Sequence, residues 1–351
     1  MQQPATVLVT GASGYIAGWI VKALLDQGHT VHGTVRDPDN RKSVAHLHAL
    51  AEGAPGTLKL FKADLLDAGS FDEATRGCDI VMHTASPFII EGFDDAHEAL
   101  VRPAVEGTRN VLDAVNKHDS VRRVVLTSSV AAIYGDNVDL ARAGKHAFDE
   151  SDWNTTSSVD HNPYQYSKVA AEREAWSMHG QQDRWQLTTI NPGMVFGPSL
   201  TAASKSASID TLRQMGDGRL RTGVPDLGFG VVDVRDVADA HVLAAFAESI
   251  EPRHILVNDT LSMLAIARIL RHAFGDQYPF PRMRAPKAMV WLVGPLMGPV
   301  TRKFIARNVG HRVAFDNSRS RALGVDYRPV EQTLADHFQQ ALDDGLIRKR
   351  G

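Results

Sequence analysis

The chain has 351 residues, 43% hydrophobic and 23% charged, with a formal charge of −3, which is ordinary globular composition with enough apolar mass for a sizeable core. That charge gives no long-range attraction for nucleic acid or an anionic membrane, and the only basic block is the short Arg348-Lys349-Arg350 end. The single cysteine, Cys78, excludes an internal disulfide and fits a reducing, cytoplasmic compartment.

Met1-Gln2-Gln3-Pro4 lacks the charged start of a signal peptide. Residues 6–9 form a β-branched run that breaks at Gly11-Ala12-Ser13-Gly14 and restarts at Tyr15-Ile16-Ala17 as an apolar helix over 15–27. Residues without bulk at 11 and 14 let the backbone approach phosphate oxygens. The open N–H groups of the helix start favour negative charge, and Ala17 lets helix and strand pack closely. The turn therefore reads as a pyrophosphate site made by Gly11, Ser13, Gly14, Tyr15 and Ile16. Its G-x-x-G-x-x-A spacing leaves two residues between the first glycines, where the usual dinucleotide fingerprint has one.

Further strands are expected over 30–35, 58–62, 80–83, 123–127 and 187–190, with helices after Asn40 and over 71–76, 96–117 and 163–179. This alternation predicts an α/β architecture with a Rossmann-type, doubly wound parallel sheet. After Pro192, Gly and Pro become more frequent and helices over 263–274 and 330–343 dominate, predicting a smaller, mostly helical lobe. The apolar run 288–300 is broken by Gly294, Pro295, Gly298 and Pro299, so a packed helix and turn is expected there and not a membrane span. The expected division is a nucleotide-binding domain over 1–191, to which 231–257 returns, and a substrate-binding lobe made of 192–230 and 258–351.

Tyr164 and Lys168 are four apart at the start of a helix and share one face. A carbonyl reduction needs an acid to protonate the developing alkoxide. A phenol suits that role once a nearby ammonium lowers its pKa, so Lys168 is expected to depress Tyr164 and to bond the nicotinamide ribose. Thr127-Ser128-Ser129 ends a strand where parallel sheets deliver side chains to ligands, and a hydroxyl there can hold the carbonyl oxygen beside the phenol.

Together these segments resemble an extended short-chain dehydrogenase/reductase, in the branch of dihydroflavonol, cinnamoyl-CoA and methylglyoxal reductases. Additional matching pieces are Ala63-Asp64-Leu65, His83-Thr84-Ala85-Ser86-Pro87, Val105-Glu106-Gly107-Thr108, Asn191-Pro192-Gly193-Met194-Val195 and Val232-Asp233-Val234-Arg235-Asp236. The resemblance implies Ser129, over Ser128, as the oxygen-binding hydroxyl, Tyr164 as acid and Lys168 as its partner. It also implies Asp64 and Leu65 beside the adenine, Thr84, Ala85 and Ser86 under the ribose, and Pro192 and Val195 at the carboxamide. Arg36 ends the second strand, where an acidic residue would bond the ribose hydroxyls of NAD; an arginine pairs instead with the 2′-phosphate of NADP, helped by Lys42 or Arg41. The expected cofactor is NADPH/NADP+.

The expected function is NADPH-dependent reduction of an aldehyde or ketone, with reverse alcohol oxidation open, in a monomer or homodimer. Phe88, Ile133, Tyr134, Met194 and Phe229 are the candidate substrate-lining residues. His161-Asn162-Pro163-Tyr164-Gln165-Tyr166-Ser167-Lys168 departs from the K-N-W-Y-C-Y-G-K-like segment of cinnamoyl-CoA reductases and disfavours a CoA thioester. A nucleotide-sugar epimerase or dehydratase is the alternative within the superfamily, and a non-catalytic NADP sensor is the alternative outside catalysis. No metal is expected, since His46 and His48 are two apart on a helix and face different ways. The acidic stretch Asp136, Asp139, Asp149, Glu150 and Asp152 reads as a solvated loop.

Overall fold

The computed structural model describes residues 3–86, 95–201, 206–297 and 300–347. Its ten strands are β1 (Thr6–Val9), β2 (Thr30–Val35), β3 (Thr57–Lys62), β4 (Ile80–His83), β5 (Arg123–Thr127), β6 (Gln186–Pro192), β7 (Met194–Phe196), β8 (Gly228–Asp233), β9 (Arg253–Leu256) and β10 (Asp259–Ser262). The helices are α1 (Tyr15–Asp26), α2 (Arg41–Ala51), α3 (Asp72–Thr75), α4 (Arg102–Lys117), α5 (Val138–Arg142), α6 (Pro163–His179) and α7 (Ala207–Gly216). They continue with α8 (Val234–Phe246), α9 (Met263–Phe274), α10 (Lys287–Met297), α11 (Arg302–Asn308), α12 (Ser318–Ala322) and α13 (Val330–Asp343).

Seven parallel strands form the main sheet in the order β3-β2-β1-β4-β5-β6-β9. The valines and leucines of β1 are fully buried because helices cover both faces of the sheet. On one face Ile20, Leu24 and Leu25 of α1 pack with Val237 and Ala240 of α8. On the other, Val111, Leu112 and Val115 of α4 pack with Ala175 of α6 and Trp185. The order reverses between β1 and β4, where Val7 is in register with both Val31 and Ile80. A crevice opens at such a switch point beyond the carboxyl ends of the strands.

The six strands expected from the sequence are present, and the 96–117 helix begins with a widened π-type turn over His97–Val101. Four short strands went unread. β9 joins the main sheet beside β6, with Asn191 opposite Ile255. β7, β8 and β10 build a separate three-stranded sheet, β8 and β10 antiparallel. This small sheet packs with α7, α9 and α13 around Phe196, Leu212, Leu270, Leu334 and Phe338.

Candidate active site

The β1–α1 turn is held by the strand beside it: Gly11 N donates to Thr34 Oγ1 at 3.1 Å and Ala12 N to the Thr34 carbonyl at 2.9 Å. Gly11 has φ +65°, and a Cβ there would lie 3.1 Å from Ala85 Cβ, so glycine is required both by conformation and by the approach of the β4 end. Gly14 caps α1 without a side chain, leaving the first amides of the helix without intrahelical acceptors. The Tyr15 hydroxyl is committed to the Gly197 carbonyl at 2.5 Å, so Tyr15 offers a ligand its backbone N–H.

At the end of β4, the amides of Thr84 and Ala85 donate to Thr10 Oγ1 at 3.1 and 3.0 Å, while the Thr84 hydroxyl donates to the Thr10 carbonyl. At the end of β5 the two serines part. Ser128 is buried and its hydroxyl donates to Glu172, whereas the Ser129 side chain accepts from Ala131 N at 3.1 Å and caps the turn Val130–Ala132. Asn191 Nδ2 fixes the Ser129 carbonyl from β6 at 3.1 Å.

Helix α6 starts at Asn162, the one non-glycine residue with positive φ (57°) among the described residues. This strained start is held by Asn162 Nδ2, which donates to the Gly135 carbonyl and to Asp136 Oδ1, both at 3.0 Å. Pro163 at the first position then directs Tyr164 and Lys168 along one face. Lys168 Nζ donates to Ser86 Oγ at 2.9 Å and lies 5.7 Å from the Tyr164 ring centroid. Burial pushes the Tyr164 phenol up to about 12 and the Lys168 ammonium down to about 8. The expectation that Lys168 lowers the phenol's pKa is therefore not met: the loss of hydration dominates both groups.

These residues share one cleft of about 510 Å³. Its lining brings together Gly11, Gly14, Tyr15 and Ile16 of the β1–α1 turn, Thr84, Ser86, Ser129, Tyr164 and Lys168, and Pro192, Met194, Val195 and Phe229. Residues 7–257 match the family model described as the NAD dependent epimerase/dehydratase family. The chain belongs to that family. It is an oxidoreductase of the extended short-chain dehydrogenase/reductase type. It is 41% identical over 271 residues to a cinnamoyl-CoA reductase of Medicago truncatula, covering 76% of this chain and 80% of that protein. It is 34% identical to tetraketide alpha-pyrone reductase 1 of Arabidopsis thaliana, over 99% of this chain and 98% of that protein. Among solved structures, Gre2 from Candida albicans in complex with NADPH superposes with a TM-score of 0.77 at 29% identity, over 97% of this chain and 99% of that one.

Several expected residues of this short-chain reductase stand away from the cleft. Arg36 is exposed at the end of β2 and Lys42 in the first turn of α2. Neither has an ion-pair partner among the described residues. Asp64 is exposed and its carboxylate accepts from Leu66 N at 3.0 Å, while Leu65 and Ala85 line a small neighbouring cavity with Lys168 and Glu172. Ser13 is half-buried in the turn and does not reach the cleft wall. Ile133 is a correction: it is 1% exposed and packs with Leu140, Phe148 and Val257, because the turn after Ser129 rotates it into the core. Tyr134 does line the cleft, with its ring stacked on Phe148 at 5.2 Å and its hydroxyl pKa raised by burial. Phe88 lies outside the described residues.

The acidic stretch is likewise not a solvated loop throughout. Asp136 is 0% exposed and accepts from Asn308 Nδ2 at 2.7 Å, Asn162 Nδ2 at 3.0 Å and Arg307 Nη1 at 3.2 Å, with His161 Nε2 2.7 Å away. Glu150 is buried too, and accepts from Ile255 N at 3.0 Å. Asn308 and Phe304 of α11 also line the cleft, as sequence reasoning missed. Beneath it, Glu172 carries a second unread network, accepting from Arg253 Nε at 2.7 Å and Asn191 Nδ2 at 2.9 Å. The only sequence signal was that Glu172 follows Lys168 by four, on the face that begins with Tyr164.

Proposed function

We propose that this protein uses NADPH to reduce the carbonyl group of an aldehyde or ketone of moderate size, with alcohol oxidation as the reverse reaction. The observation that carries the reading is the single cleft joining the open α1 N-terminus to Tyr164, Lys168 and Ser129. The dinucleotide fits this cleft on two counts, a glycine at positive φ and free amides at a helix start. Arg36, outside the cleft at the end of β2 and without an ion-pair partner among the described residues, is available to a 2′-phosphate. NADPH supplies the hydride.

The chain's residues supply the rest. With its pKa raised to about 12, the Tyr164 hydroxyl stays protonated at neutral pH and delivers its proton to the developing alkoxide. Ser129 donates to the same oxygen, which aligns the carbonyl, while the Ser128 hydroxyl is committed to Glu172. Lys168, charged below about pH 8, stabilises the phenolate left behind and, through Ser86, stands where the ribose is expected. Met194, Phe229, Tyr134 and Phe304 form an apolar wall suited to an aromatic or branched substrate.

NADPH consumption over aromatic aldehydes, α-keto esters, flavanonols, cinnamoyl-CoA and nucleotide sugars tests the reading. NADPH oxidation by the simple carbonyls supports it, whereas conversion of a nucleotide sugar to an isomer or a dehydrated sugar with no net NADPH consumption would make the protein an epimerase or dehydratase. Tyr164→Phe is expected to lose about 100-fold or more in kcat while still binding NADPH. Robust turnover by that variant refutes the assigned acid.

A further inference from the structure

Helix α10 turns its apolar side outwards. Met289, Leu292, Val293 and Leu296 recur at i, i+3, i+4 and i+7 and are 47%, 61%, 36% and 85% exposed. The opposite side is the packed one: a Cβ at Gly294 would lie 3.1 Å from Ile305 Cδ1 of α11. In a water-soluble helix this polarity is inverted, so a second surface is needed to cover the outer face.

Charge says which surface. Between Asp276 and Asp316 there are seven arginines and lysines and no carboxylate, in a chain whose formal charge is −3. Arg282 and Arg284 pair with Asp276 and Asp226, and Arg307 with Asp136. Arg302, Lys303 and Arg312 have no carboxylate partner among the described residues, whereas Lys287 Nζ donates to the Val309 and Ala306 carbonyls at 2.6 and 3.2 Å. Arg302 lies 4.4 Å over the ring of Trp291, which is 44% exposed on the α11 side of α10. An isologous contact with a second copy would bring these basic flanks against each other, which disfavours self-association. A helix with an apolar face flanked by unpaired cations and a tryptophan has the composition that lies in an anionic lipid interface.

We propose that the outer face of α10, with Arg302 and Lys303 of the neighbouring α11, seats this protein reversibly on an anionic membrane surface. No described helix is long and apolar enough to cross a membrane, so the association is peripheral. Seating also places lipid one helix away from the cleft, since α11 behind α10 contributes Phe304 and Asn308 to its wall. The inference goes beyond the reductase reading and does not depend on it.

Co-sedimentation of the full chain with vesicles of phosphatidylcholine plus phosphatidylglycerol, and of phosphatidylcholine alone, tests it. Sedimentation with the anionic vesicles only, weakened by added salt, is expected. Leu292→Glu/Leu296→Glu should cut partitioning by about tenfold or more, with the melting temperature and turnover of a soluble carbonyl unchanged. Independently of any variant that must fold, brominated lipids should quench tryptophan emission in the wild-type chain and much less in Trp291→Phe. The proposal is overturned by no sedimentation with either vesicle, by equal sedimentation of the double variant, or by no quenching. A concentration-dependent dimer that the double variant splits would equally overturn it, since the face would then belong to a second copy.

Discussion

Acid should destabilise this protein over a narrow range set by four buried histidines. His83, His241, His254 and His337 are each at most 2% exposed, and burial holds their pKa values at about 3, 4, 4 and 4. The neutral rings are built into the structure: His337 Nδ1 accepts from Gly197 N at 3.1 Å, and His241 lies between the Val237 carbonyl and Thr127 Oγ1, 2.7 Å from each. A histidine whose folded pKa lies below its unfolded value contributes stability that is present above about 6.5 and lost as pH falls towards the folded pKa. Between pH ~7.5 and ~5.5 each ring then costs about 1.4 kcal/mol, and the four together about 5 kcal/mol. Asp236, raised by burial to about 6, acts in the opposite sense and offsets about 1 kcal/mol of this. A net loss of about 4 kcal/mol is a large share of a typical folding free energy. Urea unfolding at the two pH values measures it, and titration in buffers of different ionisation enthalpy should show uptake of about three protons on unfolding near pH ~5.5. A flat stability between those pH values, or uptake of less than about one proton, would refute the reasoning.

Arg36→Ala should lower kcat/KM with NADPH by about tenfold or more and leave NADH unaffected, because the lost contact is a charge-assisted bond to a group NADH lacks. Comparable losses with both cofactors would mean a damaged β2 end and no 2′-phosphate contact. Glu172→Ala strips a buried partner from Arg253, which is only 5% exposed, and should destabilise the fold by about 3–5 kcal/mol in urea titration. Asp136→Asn removes the charge that faces Arg307 and His161 and loosens the start of α6. It should lower kcat more than it raises KM, and an unchanged kcat would detach Asp136 from Tyr164 placement.

What could be read from the sequence was local: where chain order alone brings residues together, spacing suffices. The Gly11–Ala17 turn and the Tyr164/Lys168 pair follow from adjacency on one strand end and one helix face. The strand β9 was not legible because Arg253-His254-Ile255-Leu256 has no apolar alternation. Its arginine is tolerated inside because Glu172 and the Glu150 and Asp152 carbonyls, all far away in sequence, meet it. Asp136 misled for the same reason. A carboxylate in a polar loop reads as solvated until Asn308 and Arg307, distant in sequence, arrive to satisfy it.

The two buried carboxylates also divide the work of holding the site. Glu172 accepts from the Ser128 hydroxyl and from Asn191 Nδ2, so that of the two serines lining the cleft the Ser128 hydroxyl is already committed. Asp136 binds Asn162 at the start of α6 and Asn308 on α11, so the helix that carries Tyr164 and the helix that carries Phe304 share one anchor. A displacement of α11 must therefore strain the Asn162 turn, because Asp136 is fully buried and no water replaces the bonds it loses. Tyr164 and the apolar wall are thereby held in one fixed relation, which the proposed carbonyl reduction needs in order to present one face of the substrate to the cofactor.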